Sequence, residues 1–334
     1  MILVTGAAGF IGFHVCQRLL SEGHEVIGLD NINDYYSVNL KKSRLAHLTP
    51  HRNFRFYKID LADQASIDDI FAKCAFTKII HLGAQAGVRY SLKNPHAYIS
   101  SNLVGFFNVL EAARASRVSH FVYASTSSVY GSNTHMPFST SDNTDHPVSL
   151  YAATKKSNEA IAHSYAYMHG LPVTGLRFFT VYGPWGRPDM AYWLFADAIA
   201  KGEPLTLFDN GLLKRDFTYI DDIVEGIVRV SQSPPAANAD YDSNHPDPAT
   251  SSAPYRVLNI GSHAPVLIKD LVALIEDTMG KKAHIIHAPM QKGDVAATFA
   301  DVALLEHLTG FTPQTPLAVG VRRFVSWYKD FHKV

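Results

Sequence analysis

Cysteine is almost missing: Cys16 and Cys74 are the only two in 334 residues. One pair cannot build a disulfide framework, so both read as fillers of apolar space in a reducing compartment. Net charge is missing too, thirty basic residues balancing thirty acidic ones. A neutral chain has no broad field to gather nucleic acid or an acidic membrane surface, so anionic ligands must be held by local clusters. No run approaches the roughly 18 apolar residues of a membrane span. The first residues, Met-Ile-Leu-Val-Thr-Gly, lack the charged and apolar segments of a leader and read as a strand entering a glycine turn. A cytoplasmic location is expected. Metal binding is not: on a strand, the two rings of His284-Ile-Ile-His287 point to opposite faces, and no cysteine or carboxylate set joins them.

What is present is a large apolar share, 47%, enough for one big domain or two unequal lobes. Short apolar runs alternate with helical patterns through the first half: Ile2–Thr5, Glu25–Leu29, Arg55–Ile59, Lys78–Leu82, His120–Ala124 and Val173–Arg177 as strands. Helical spacing occupies Ile11–Glu22, Ala65–Cys74, Tyr98–Ala115 and Tyr151–His169 between them. Strands separated by helices imply right-handed βαβ units and a doubly wound parallel α/β sheet. After Gly183 the pattern loosens into runs at Leu205–Phe208, Arg256–Ile260 and Ile285–His287, with helices at Ala191–Lys201, Ile220–Ser231, Lys269–Met279 and Pro316–Lys329. That suggests a smaller mixed α/β lobe interleaved with the last strands of the sheet. Residues 232–254, rich in Pro, Ala, Ser, Asn and Asp, read as an exposed, mobile excursion.

Gly6-Ala-Ala-Gly9-Phe10-Ile11-Gly12 lies between the first strand and the first helix. Such a turn needs torsions and close approaches that a Cβ blocks, and the helix start offers N–H groups to a pyrophosphate. A glycine triplet alone is weak. Here Asp30 follows at the end of the second strand, with Asn31 beside it, where an acid bonds the ribose hydroxyls of NAD and repels the 2′-phosphate of NADP. Asp60 and Leu61 close the third strand, Asp60 placed to accept from the adenine amino group. Leu82-Gly83-Ala84-Gln85 closes the fourth with small residues where the cofactor would pass. The bland reading is an ordinary βα turn with structural strand ends.

Tyr151 and Lys155 are four apart at the start of a strong helical pattern and share a face. Chance alone produces about one such spacing in a chain this rich in both types. The neighbourhood adds weight: Thr126, Ser127 and Ser128 end the preceding strand, on the same sheet edge. A phenol of pKa about 10 is a poor base at neutral pH. An adjacent ammonium and a positive nicotinamide would stabilise its phenolate. Tyr151 is then the candidate general base, Thr126 a holder of the same substrate oxygen, and Lys155 a tuner that also reaches the nicotinamide ribose. A capping tyrosine and a solvated lysine are the bland alternative.

With Tyr130-Gly131 and Arg215-Asp216-Phe217, these residues make the chain resemble the extended short-chain dehydrogenases/reductases, and among them the nucleotide-sugar epimerases that act on UDP-glucuronate. The resemblance spans nearly the whole chain. It rests on Asp30-Asn-Ile-Asn-Asp-Tyr-Tyr36, Gln85-Ala-Gly-Val-Arg89-Tyr-Ser91, His146 to Lys155, and Arg177-Phe178-Phe-Thr180-Val-Tyr-Gly-Pro-Trp-Gly-Arg187-Pro-Asp-Met190. It implies tightly bound NAD regenerated each turnover, with Phe178 among its contacts, and a UDP-sugar in the smaller lobe. It also implies a homodimer through helices 98–115 and 151–169. Residues 1–180 then form the NAD-binding domain, with later segments returning to it, and 181–334 mainly the UDP-sugar lobe. The implied reaction is 4-epimerisation through a 4-keto intermediate.

Relatives acting on neutral hexoses carry an asparagine where Thr180 stands here, so a neutral or N-acetylated UDP-hexose is the second choice of substrate. Arg187, between Gly186 and Pro188, has a fork that pairs bidentately with a carboxylate. With Thr180, Ser127 and Ser128 it is expected to hold the uronate carboxylate and keep the β-keto acid from losing carbon dioxide. A loop salt bridge is the alternative role for Arg187. Ser127-Ser128 lacks the Asp-Glu pair of the 4,6-dehydratases and the glutamate of decarboxylating relatives. Arg89, Arg215 and Asp294 match positions that meet the rest of the substrate, Arg215 the phosphates and Asp294 the ribose. The segment Gln291-Lys-Gly-Asp294 has lysine where arginine is common.

Overall fold

The computed structural model describes residues 1–290 and 296–334. Asp294 and Lys292 fall outside the described residues. Seven parallel strands form the central sheet: β1 (Ile2–Thr5), β2 (Val26–Asp30), β3 (Phe54–Lys58), β4 (Lys78–His81), β5 (His120–Thr126), β6 (Val173–Phe178) and β10 (Tyr255–Ile260). Their order is β10-β6-β5-β4-β1-β2-β3. The order reverses between β1 and β4, and a crevice opens outside the carboxyl ends of the strands there. Residues Leu3, Val4, Ile79, Ile80, Phe121 and Val122 are buried at this centre. Their apolar runs are continuous because helices cover both faces of a parallel sheet.

Three short strands, β7 (Thr180–Tyr182), β9 (Lys214–Tyr219) and β11 (Pro265–Leu267), form a second sheet in the order β11-β9-β7. A parallel pair, β8 (Pro204–Phe208) and β12 (His284–Ala288), makes a third. Strands β7 and β11 escaped the periodicity reading because three residues carry too little pattern, and β9 because Lys214-Arg215-Asp216 opens it with charges instead of an apolar run. Asp216 on β9 is fully buried and accepts bonds from the N–H groups of Ser262, His263 and Ala300 and from the Ser262 hydroxyl at 2.8 Å. Its part in the Arg-Asp-Phe segment is therefore to lock this lobe together.

Two departures from the expected elements bear on the site. The helix expected over Tyr98–Ala115 begins with a wide π turn at Ile99–Val104, and regular α geometry starts only at Gly105. Asn102 sits in that turn, and its side chain bonds both backbone groups of Gln85, accepting at 2.8 Å and donating at 3.0 Å. An inserted π turn re-aims a side chain that α geometry would carry elsewhere. A helix over Val38–Leu48, capped by Ser37, was also unforeseen; its mean pattern is too polar to announce a buried face, yet it buries Lys41 and Arg44.

After Gln232, which ends the helix Ile220–Gln232, residues 233–254 carry no helix or strand beyond an isolated bridge from Thr250 to Arg256. Residues 236–246 are mostly exposed, while Ala249, Ser251 and Ala253 pack down. Asn238 N–H donates to Ser251 O at 2.8 Å and Val257 N–H to Ala249 O at 2.9 Å, tying the excursion to the base of β10.

Candidate active site

Every central strand except β10 delivers a cleft residue at its carboxyl end. One continuous cleft is lined by Gly6, Gly9, Phe10, Ile11 and Gly12 after β1, Asp30 and Asn31 at β2, and Asp60 and Leu61 after β3. Leu82, Ala84 and Gln85 follow β4; Thr126 ends β5, with Ser127 and Ser128 next to it; Phe178 and Thr180 flank the exit of β6. Tyr151, Lys155 and Arg187 complete the wall. Arg89 and Arg215 do not line it: Arg89 lies 5.7 Å over the Phe208 ring, and Arg215 donates to Lys214 O at 2.8 Å. Both sit in the neighbouring small lobe or against it, where β9 flanks the start of the described segment at Ala296.

The glycine turn fits a dinucleotide. Gly6 has φ +70° and its Cβ position would lie 2.9 Å from Gly83 N. A Cβ on Gly12 would collide with the Gly6 carbonyl oxygen. The helix Phe10–Ser21 then starts at Gly9 with no side-chain cap, so its first N–H groups face the crevice. Asp30 is nearly enclosed: Oδ2 accepts from Ala8 N–H at 3.2 Å and Oδ1 from Ile32 N–H at 2.8 Å. Burial raises its pKa, opposed by Lys41 and these backbone bonds. Asp60 accepts from the Asn31 amide and Ala62 N–H, both at 2.9 Å, and each carboxylate oxygen keeps a second lone pair.

Tyr151 stands in the first turn of the helix Leu150–His169, which Ser149 caps through Ala152 N–H at 3.1 Å. Lys155, one turn on, is buried, and its Nζ donates to Ala124 O at 2.8 Å. Burial lowers its pKa to about 8, with Glu159 opposing. Burial raises the pKa of the Tyr151 phenol; Arg187 and the Thr126 hydroxyl oppose this, and Asp189 adds to it. The sequence had pointed to Lys155 as the cation that favours the phenolate. In the fold that ammonium donates to the carbonyl of Ala124, and Arg187 is a further cation that acts on the phenol. Thr126 also accepts from Ser128 N–H at 3.2 Å, which fixes the short 3₁₀ turn Ser127–Tyr130.

Below this floor lies an ionic cluster. Arg177 Nε and Nη2 both donate to Glu159 at 2.9 Å, and Ser125 donates to Glu159 Oε1 at 2.6 Å. The guanidinium also stacks 4.9 Å over the Tyr130 ring, which lies parallel to Phe138 at 4.6 Å.

Arg187 Nε donates to Asp189 Oδ1 at 3.0 Å and Nη2 to Oδ2 at 2.6 Å. The loop salt bridge weighed from the sequence is therefore present, and the fork still lines the cleft. Its loop is anchored by Arg44, whose side chain is fully buried. Arg44 donates to Trp185 O at 3.1 and 2.7 Å, Gly186 O at 2.8 Å, Ala8 O at 2.9 Å and Tyr36 OH at 2.8 Å. All five guanidinium hydrogens are thus satisfied, linking the glycine turn to the Arg187 loop. Sequence reasoning missed Arg44, Asn102, Tyr35 and Asp189. Only Tyr35 and Asp189 carried a signal, each lying in a segment already noted for resemblance. Trp185 packs among Phe13, His47, Trp327 and Phe331, and Trp193 among Phe324, Trp327 and Tyr328, so neither offers a stacking platform.

Known proteins place this arrangement. Residues 2–244 match the model of the NAD dependent epimerase/dehydratase family. The chain is 50% identical over 332 residues to the protein CapI of Staphylococcus aureus, covering 99% of each. It is 45% identical over 338 residues to UDP-glucuronate 4-epimerase 2 of Arabidopsis thaliana, covering 99% of this chain and 76% of that one. The crystal structure of UDP-glucuronic acid 4-epimerase from Bacillus cereus, in complex with UDP-glucuronic acid and NAD, superimposes with a TM-score of 0.86 at 31% identity, covering 99% of both chains. A Rossmann-type sheet with an uncapped glycine turn and a tyrosine–lysine helix at its carboxyl edge has the relatives its geometry calls for: this chain belongs to the NAD dependent epimerase/dehydratase family.

Proposed function

We propose that this protein interconverts UDP-glucuronate and UDP-galacturonate by inverting C4 of the sugar. The observation that carries the reading is that Tyr151, Thr126 and the Arg187 fork line one cleft with the glycine turn and Asp30. On this reading, deprotonation and carboxylate recognition act on one substrate.

The glycine turn and the helix start at Phe10 would hold the NAD pyrophosphate, Asp30 and Asn31 the adenosine ribose, Asp60 the adenine amine, and Lys155 the nicotinamide ribose. Bound NAD supplies reversible acceptance of the C4 hydride, so the sugar passes through a 4-ketone with no net redox change. Tyr151 takes the C4 hydroxyl proton, which requires the phenolate; burial raises the phenol's pKa on balance, Arg187 and the Thr126 hydroxyl oppose it, and the Lys155 ammonium and the positive nicotinamide would lower it further with NAD bound. Thr126 holds the same oxygen. Ser127, Ser128, Thr180 and Arg187 hold the carboxylate, which keeps the C5–C6 bond out of alignment with the ketone π system. The ketone turns about its phosphate linkage and presents the opposite face, where the same hydride would return to C4 while Tyr151 gives the proton back to the oxygen. Arg215 and Arg89 are assigned to the UDP side of the substrate, together with Asp294.

Residues 1–180 with the returning strand β10 serve as the NAD-binding domain, and 181–334 mainly as the sugar-nucleotide lobe, in a cytoplasmic enzyme. The purified protein, given UDP-glucuronate without added NAD, is expected to form UDP-galacturonate. Arg187→Ala is expected to weaken UDP-glucuronate binding about 30-fold while changing UDP-glucose binding less than about twofold. Equal losses would remove the carboxylate role. Efficient turnover of UDP-glucose or its N-acetylated counterpart, but not of the uronate, would favour the neutral-sugar reading.

A homodimer is part of the same reading. Val104, Phe107, Tyr167 and Met168 on helices 98–115 and 151–169 are 44%, 44%, 64% and 71% exposed. Large apolar side chains grouped on two adjacent helices are expected at an interface. Sedimentation should give a dimer, and Phe107→Asp with Met168→Asp should give a monomer; a wild-type monomer at micromolar concentration would contradict this.

A further inference from the structure

The assignment of Arg187 to the sugar carboxylate leaves open what orients its fork; the following inference rests on that assignment. The pairing with Asp189 is side-on, through Nε and Nη2, so Nη1 takes no part in it. Asp189 is itself held: its Oδ2 accepts from the Tyr35 hydroxyl at 2.9 Å. Tyr35 packs on Tyr90 with ring centroids 4.6 Å apart, and a Cβ on Gly87 would run into its hydroxyl. The same segment that carries Tyr35 leads into the helix bearing Arg44, which grips Trp185 O and Gly186 O. Two separate ties therefore run from residues 35–44 to the loop 185–189.

We infer that Asp189, anchored by Tyr35, is a positioning residue for uronate recognition: its side-on grip fixes the Arg187 fork and directs the remaining edge to the sugar carboxylate. A long arginine side chain otherwise loses its rotamer freedom when the substrate binds; here that loss is taken on folding. The negative charge of Asp189 acts in the opposite direction, repelling a second carboxylate. The Tyr35 bond spreads that charge, and Asp189 remains tied to Tyr35 instead of being free to swing away. If Asp189 were a mere competitor for the fork, neutralising it would tighten uronate binding. The two roles predict opposite signs.

The test uses holoenzyme and measures binding of UDP-glucuronate, UDP-glucose and UDP by calorimetry, with kcat and KM for the uronate. Asp189→Asn is expected to raise Kd and KM for UDP-glucuronate about tenfold, to change UDP-glucose and UDP less than about twofold, and to lower kcat less than KM rises. Tyr35→Phe should shift selectivity in the same direction by about threefold, and it retains the ring packing if Asp189→Asn folds poorly. Unchanged or tighter uronate binding in both variants overturns the proposal, as does an equal loss for all three nucleotides. If Arg187→Ala spares UDP-glucuronate, the carboxylate assignment fails first; if that variant loses the uronate and Asp189→Asn does not, only the orienting role fails.

Discussion

Tyr151→Phe is expected to lower turnover of UDP-glucuronate about a thousandfold while leaving UDP-sugar affinity within about twofold. The substitution removes one oxygen and keeps the ring, which meets Tyr98 edge-on at 6.1 Å. The cleft walls, the Arg187 fork and the glycine turn are untouched, so binding survives. What is lost is the acceptor for the C4 hydroxyl proton. Thr126 cannot substitute, because a hydroxyl with a far higher pKa gives no useful base near neutrality, and Lys155 is turned onto Ala124 O. Steady-state rates with product analysis, beside calorimetric titration of UDP, check both halves. Turnover within tenfold of wild type would take Tyr151 out of its role; a parallel loss of UDP affinity would show that the variant disturbs the cleft.

The second large effect concerns stability. Arg177→Met is expected to cost about 3–5 kcal/mol of unfolding free energy, because it leaves Glu159 ionised in a site with almost no exposure. Arg177 and Glu159 side chains are 0% and 3% exposed. Burial alone would raise the Glu159 pKa; Arg177 and the Ser125 hydroxyl more than offset it and hold the carboxyl below its ordinary value. A depressed carboxylate pKa adds stability that is complete above the unfolded value, about 4.5, and is lost as pH falls through the folded one. Wild-type stability should therefore decline on acidification through this range, and Arg177→Met should flatten that decline. Arg177→Met with Glu159→Met should recover most of the loss, since a matched apolar pair needs no desolvated charge. Urea unfolding at several pH values reads all three. A cost below about 1 kcal/mol for the single variant would mean that water reaches the pair.

The parts of the fold that were legible in the sequence are those whose pattern is repeated and unambiguous. Six strand runs with four helical stretches between them set the parallel sheet, and the helix Ala191–Lys201 runs between the residues that its periodicity indicated. The cleft was legible for a topological reason: residues following strands of a parallel sheet come together at its carboxyl edge, however far apart they are in the chain. What stayed hidden depends on side-chain direction. No spacing announces that Arg44 turns inward to four acceptors, or that the Lys155 ammonium donates to the carbonyl of Ala124. Asn102 was hidden by a local change of helical pitch. Asp189 looked like part of a loop because its partner, Tyr35, lies more than a hundred residues upstream.

Strand β10 has a consequence for how this chain is made. It pairs along the whole of β6, from Tyr255 against Val173 to Ile260 against Phe178. Between them in sequence lie the small-lobe strands β7 to β9 and the excursion 232–254. During synthesis, then, the nucleotide-binding half leaves the ribosome with one hydrogen-bonding edge bare, and that edge stays open until the second lobe has been translated. A nascent chain halted before Tyr255 would carry the complete glycine turn and catalytic helix but an unfinished sheet, the form most in need of a chaperone.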